Sequence, residues 1–196
     1  MSELRIVAGK WRGRRIAVPP AGVRPTADRV REAWMSILQP DVPDARCVDL
    51  CAGSGALGLE LLSRGAEHCD FVEQDPKVLK VLQSNIASLG AAAQATVHRS
   101  NAEQFAEALT EQRLGPDALP SSVFRPVRPY DLAVADPPYR KGIAERLVSI
   151  WLRAPFATIF SVEHEADLQL PEAPVGSTVD RRRYGDTALT IYRRSP

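Results

Sequence analysis

The stretch RCVDLCAGSGALG, residues 46–58, decides how this chain is read. Its first part, residues 46–51, alternates β-compatible and apolar residues as a buried strand does. It then runs into Gly53, Gly55 and Gly58 at the head of an apolar-periodic segment. Strand, tight turn and helix are expected in that order. Glycines in these places let the backbone turn sharply, let a ligand approach the main chain without meeting a Cβ, and let a helix start close against the strand. Such a loop is a nucleotide cradle.

Working outward, residues 4–18 read as two short strands around a turn containing Gly13, with Lys10, Arg12, Arg14 and Arg15 at the tip and Trp11 among them. Cations with an interleaved aromatic suit phosphate contact and base stacking, although Trp11 equally well anchors the hairpin on a core. Residues 19–23 are a linker. Thr26 or Asp28 can cap a helix whose Val30, Trp34, Ile37 and Leu38 share one face, with Arg29, Glu32 and Ser36 opposite. That helix ends before Pro40.

Past the glycines, a helix is expected after Gly58 to about Arg64, closed by Gly65. Residues 68–73 form a strand, and Asp75-Pro76 starts a helix with Val78, Leu82, Ile86 and Leu89 inward and Gly90 as its stop. A strand over 95–99 follows, then Asn101 and a helix from about 102 to 112. The proline-rich run 113–129 is a surface loop. Residues 130–135 are a buried strand ending on Asp136, 143–152 a helix and 158–164 a strand. A closing hairpin covers 179–184 and 188–193 about Gly185-Asp186. Strands alternating with helices imply an α/β fold: a mostly parallel sheet with one antiparallel member near its edge.

The 196 residues, 44% hydrophobic, suffice for one domain, with 1–23 as a basic hairpin extension and 24–196 as the core. Neither a membrane-spanning run nor a signal-peptide core is present in the sequence, so a cytoplasmic location is expected. Cys47, Cys51 and Cys69 have no metal-ligand spacing and read as reduced core residues; no metal site is expected. The near-neutral net charge of +1 conceals an asymmetry. Residues 1–31 hold eight Lys/Arg against two Asp/Glu, residues 181–196 hold five against one, and the middle holds twelve against twenty-one. Basic ends around an acidic body point to a polyanion docked by the termini.

In an open parallel sheet, ligands gather beyond the carboxyl ends of the strands. Asp49 with the glycine loop, Glu73, Asn101 and Asp136 all fall at such ends. The loop alone fits a dinucleotide with Glu73 on its ribose. Two features favour S-adenosylmethionine instead. Asp49 places a carboxylate where a cationic amino-acid ligand suits it and a pyrophosphate does not. Asp136-Pro137-Pro138-Tyr139 has no use in hydride transfer but fits methyl transfer to an exocyclic amine. There Asp136 and the Pro137 carbonyl can each accept an amine hydrogen, two prolines fix the chain, and Tyr139 offers a ring to an unstacked base.

The segments RIVAGKWRGRRIAVP, RPTADRVREA, DLCAGSGALGLELLSRGA, FVEQD, DPPY and YGDTALTIY together resemble the bacterial RsmD family of small-subunit ribosomal RNA guanine-N2 methyltransferases. The glycine loop and DPPY specify only amino-methyltransferases, whereas RPTADRVRE is the more family-specific signal.

The resemblance implies a Rossmann-like class I S-adenosylmethionine-dependent methyltransferase with a seven-stranded sheet, preceded by a small hairpin and helix. It implies that the enzyme acts as a monomer on one guanine of 16S ribosomal RNA, within the assembling small-subunit particle. It places the cofactor against Thr26, Asp49, Ala52, Gly53, Ser54 and Gly55, its ribose on Glu73 and its adenine on Asn101 and Ala102. Asp136, Pro137 and Tyr139 would be catalytic, and Lys10, Arg12, Arg14, Arg15, Arg24, Arg29 and Arg140 would hold RNA. Asn101 departs from the family's usual acid, so adenine recognition would rest on a neutral amide oxygen. Cys51 stands where an aromatic residue is common.

Three other readings stay open at this point. A DNA adenine-N6 methyltransferase would share the glycine loop and DPPY, yet only 57 residues follow Tyr139, little room for a target-recognition domain. An NAD-dependent dehydrogenase leaves DPPY idle. A non-catalytic RNA-binding module explains the arginines alone.

Overall fold

The computed structural model describes residues 2–19, 25–114, 130–173 and 175–194. The hairpin is β1 (Ser2–Arg5) paired antiparallel with β2 (Arg15–Val18). Helix α1 (Pro25–Leu38) follows, then β3 (Arg46–Asp49), α2 (Ala56–Ser63), β4 (His68–Glu73), α3 (Pro76–Ser88), β5 (Ala95–Arg99) and α4 (Ala102–Leu114). Beyond residues 115–129, which lie outside the described residues with most of the proline-rich run, come β6 (Tyr130–Ala135), α5 (Ile143–Arg153), β7 (Ala157–Glu165), β8 (Ser177–Tyr184) and β9 (Thr187–Arg194).

Seven strands form one sheet in the order β5-β4-β3-β6-β7-β9-β8. Strands β3 to β7 pair in parallel, and β9 lies antiparallel between β7 and β8. From β3 the chain builds outward to β4 and β5, then crosses to β6 and continues to β7. The strand order therefore reverses between β3 and β6, and the crevice beyond their carboxyl ends is where such sheets bind ligands. One face packs on α1, α2, α3 and the hairpin through Trp34, Leu62, Leu82, Ile6 and Ile16. The other packs on α4 and α5 through Phe105, Leu109, Leu147 and Trp151. Both faces are covered, as a parallel sheet requires.

Local chemistry explains most boundaries. Asp75 accepts the Lys77 N–H at 2.7 Å and caps α3, with Pro76 in the first helical position. The expected stripes on α1 and α3 shift slightly: Met35 and Arg31 join the buried face of α1, and Leu79 replaces the half-buried Val78 on α3. Two expectations need correction. Thr26 and Asp28 lie inside α1, not before it, because Pro25 takes the first helical position. Gly58 lies within α2, which starts at Ala56. A Cβ there would meet the Phe71 ring at 2.3 Å, so this glycine lets α2 lie close on β4.

The hairpin is docked by polar contacts as well as by Ile6 and Ile16. The amides of Val7 and Ala8 donate to the two carboxylate oxygens of buried Glu60, at 2.8 and 3.0 Å, and Arg64 Nε adds an ion pair at 2.9 Å. Lys10 N donates to Ser63 O, and Trp11 N to Ser63 Oγ. Ser63 ends α2, at the edge of the sheet where strands begin, since Asp44 N bonds Gly65 O just before β3. Trp11 is half-buried against the core with Lys10 Nζ 4.3 Å above its ring. Trp11 therefore anchors the hairpin.

Candidate active site

A cleft of about 1020 Å³ opens beyond the carboxyl ends of β3, β4, β6 and β7. Its floor on one side is the loop Cys51–Ser54, with Glu73 and with Asn101 and Ala102 at the start of α4. Its other side is Asp136–Tyr139, Glu163 and the β8–β9 turn. Leu4, Val18, Val30 and Trp34 close it from the hairpin and α1. Four strand ends thus meet where the sheet topology requires.

The loop is held from behind. Asn85 on α3 takes the Ala17 N–H on Oδ1 at 2.9 Å and donates Nδ2 to Ala17 O and Ser54 O, both at 2.8 Å. One buried amide therefore ties β2, α3 and the glycine loop together. Gly53 has φ +53 and only Cys51 O, 4.0 Å away, near a built Cβ, so its surface toward the cleft is bare main chain. Glu73 accepts the Gly53 and Asp75 amides at 3.0 and 2.8 Å, which sets its carboxylate at the mouth of the loop.

Several expected roles are corrected. Gly55 does not line the cleft; with φ +87, its Cβ would run into Leu82 at 2.6 Å, so it serves packing and the turn. Asp49 is buried beneath the loop, where its Oδ2 accepts the Gly58 N–H at 3.1 Å. It acts on the loop from below. Asn101 Oδ1, expected to read adenine, instead accepts the Glu103 amide at 2.8 Å as the cap of α4. Its Nδ2 faces Gln74 Oε1 at 3.5 Å. Cys51, expected in the core, is half-buried at the cleft. Thr26 lies in the first turn of α1 and its side chain falls outside the described ones; Arg24 lies outside the described residues.

Asp49 carries a pH signature. Burial, with the nearby Asp136 and Glu73 charges and against the Gly58 and Cys51 amides, raises its carboxyl to about 7, and Oδ1 has no hydrogen-bond partner among the described residues. The folded value lies above the unfolded one, so the folded state favours the protonated form. Stability from this group is full below about pH 4 and is lost as pH rises through about 7. Asp49→Asn should remove that loss. Its melting temperature relative to the parent protein should be higher at pH 8 than at pH 5, and a gap that ignores pH would contradict the assignment.

On the acceptor side, Pro137 is buried and Asp136 exposed in the cleft. The Tyr139 hydroxyl donates to Glu163 Oε1 at 3.0 Å and shares a 2.7 Å hydrogen bond with Thr187 Oγ1. Burial, with the Glu163 and Asp136 charges adding to it, raises the phenol's pKa although the Thr187 bond opposes them, so the group stays protonated. Arg140 turns the chain away with φ +60, its amide bonded to Glu165. Sequence reasoning missed Glu163, Thr187 and Asn85. Glu163 had a signal, an acid at a strand's carboxyl end, while Asn85 showed only as a polar residue within an apolar helix stripe.

The expected RNA contacts separate in space. The tip cations sit at the opposite end of the sheet from the cleft, three of them already engaged: Lys10 with Gln94, Arg14 with Ser88 O and Arg15 with Glu3. Arg29 is exposed on α1, and Lys141, not expected from sequence, lines the cleft. No group of acids, histidines and cysteines able to hold a metal occurs among the described residues, and no described helix is long and apolar enough to cross a membrane.

A seven-stranded sheet with one inserted antiparallel strand, a glycine loop after β3 and DPPY after β6 define a class I S-adenosylmethionine-dependent methyltransferase fold. Residues 4–193 match the family described as "Conserved hypothetical protein 95". The chain belongs to this family, the RsmD family. Over 199 residues it is 37% identical to "Ribosomal RNA small subunit methyltransferase D" of Escherichia coli, spanning 98% of this chain and 90% of that one. The solved structure "Putative methyltransferase yhhF from Escherichia coli" superposes with a TM-score of 0.80 at 32% identity, covering 99% of both chains. The Thermus thermophilus 16S rRNA N2 G1207 methyltransferase, solved with AdoMet and guanosine, shares the fold with a TM-score of 0.68 at 20% identity. That match covers this whole chain and 50% of the other.

Proposed function

We propose that this protein methylates the exocyclic N2 amine of a guanine in small-subunit ribosomal RNA, using S-adenosylmethionine. The observation that carries the reading is the placement of Asp136–Tyr139 beside the bare Gly53 loop across the β3/β6 switch point. The names of the relatives support RNA as the substrate class, and the guanosine-bound neighbour supports a guanine.

The cofactor, when bound, supplies a methyl group already activated by the sulfonium charge. Gly53 and its neighbours would hold the amino-acid end by main chain, Glu73 the ribose hydroxyls, and Ala102 with Asn101 Nδ2 the adenine edge. Asp136 and the Pro137 carbonyl accept the two amine hydrogens, so the nitrogen lone pair is directed at the methyl group and not into the ring. The difficult atom is a poorly nucleophilic nitrogen, and positioning it is the main work. Tyr139, pinned by its hydroxyl, keeps its ring available to an extruded base.

Tritiated methyl incorporation tests this reading. Undermodified small-subunit particles should be labelled on guanine N2. Label in unmethylated duplex DNA instead would favour the adenine-N6 alternative. The separated cations make a second prediction. Replacing Arg12, Arg14 and Arg15 together by Gln should weaken binding of whole particles and flatten the salt slope by about one per lost phosphate contact. A short stem-loop that reaches only the cleft should bind as before. Equal loss for both RNAs would contradict the separation.

A further inference from the structure

We infer that Glu163 is a specificity-determining residue that reads the N1–H of the target guanine; this rests on the function proposed above. Asp136 and Glu163 are the residues that follow the register partners Ala135 and Val162 on adjacent parallel strands. They therefore stand one step past the last paired residues of adjacent strands, and both line the cleft. Glu163 Oε1 is oriented by the Tyr139 hydroxyl at 3.0 Å, which Thr187 braces in turn at 2.7 Å.

Holding a phenol needs only a neutral acceptor. The two carboxylates at these strand ends present acceptors side by side toward the cleft. Glu163 is not needed for the turn, because Glu165, two residues on, takes the Arg140 amide. Guanine carries N1–H next to its N2 amine, two adjacent donor groups for two adjacent acceptors. Adenine puts a bare N1 lone pair beside its amine, and a carboxylate there repels it. The pair Asp136 and Glu163 thus admits guanine and refuses adenine by charge and hydrogen-bond pattern.

The test replaces the labelled guanine of the RNA by 2-aminopurine, which keeps the N2 amine but has no N1–H, in reconstituted small-subunit particles. The parent protein should prefer guanine by at least about 100-fold in kcat/KM, since a site built to bond a donor is left unpaired by the analogue. Glu163→Gln, whose amide can donate to a bare N1, should cut that ratio at least about tenfold. Tyr139→Phe, which keeps the carboxylate but removes the hydroxyl that orients it, should slow both substrates and lower the ratio less than Glu163→Gln does. A parent ratio near one overturns the inference with no variant needed. So does an equal slowing of both substrates by Glu163→Gln, which would leave Glu163 as a positioning residue for Tyr139. Neither result touches the proposed function, which fails only if the guanine-containing particle itself receives no methyl on N2.

Discussion

Asp136→Ala should lower methyl transfer to RNA by roughly a thousandfold while leaving cofactor affinity nearly unchanged. Asp136 stands at the end of β6, on the acceptor side of the cleft, whereas the loop, Glu73 and the start of α4 form the other side. Loss of the carboxylate removes the group that orients the amine, and a misdirected lone pair costs far more than a lost contact. Asp136→Asn should fall between the two, because its oxygen still accepts a hydrogen bond but without the charge that strengthens it. Single-turnover transfer rates and calorimetric titration with the cofactor separate the two effects. A cofactor affinity that collapsed alongside turnover would place Asp136 on the donor instead.

The largest stability effect should come from Trp34→Ala, at about 3–5 kcal/mol. Trp34 is fully buried between α1 and the sheet, and its Nε1 donates to Ser161 Oγ on β7 at 2.6 Å. Truncation empties an indole-sized volume and leaves a buried hydroxyl without its donor. For a chain of this size the melting temperature should drop by roughly 10 °C or more. Trp34→Phe, which keeps most of the volume, should cost only about 1–2 kcal/mol. Similar losses for the two variants, seen in chemical denaturation, would mean that the hydrogen bond outweighs the packing.

The elements legible in the sequence were those whose cause is local. Strands at 68–73, 95–99 and 130–135 fall where their apolar runs place them, and Asp75-Pro76 and Gly65 bound their helices by capping chemistry that needs no distant partner. The convergence of Gly53, Glu73 and Asp136 was equally legible, because in a parallel sheet every strand's carboxyl end lies on one edge. What stayed hidden were interactions between residues far apart in the chain. Asn101 resembles a ligand in sequence, yet its oxygen is spent on capping α4.

Periodicity and motif spacing by themselves determined that this is an α/β chain with a glycine loop and an amine-directed DPPY, since backbone geometry and capping act over a few residues. Only the tertiary structure decided that Asp49 and Gly55 face the core, that Glu163 shares the cleft with Asp136, and that the basic hairpin tip lies at the sheet's opposite end. Those facts depend on which strands become neighbours and on where Glu60 and Ser63 clamp the hairpin. Burial and long-range pairing are properties of the packed chain, and no local pattern encodes them.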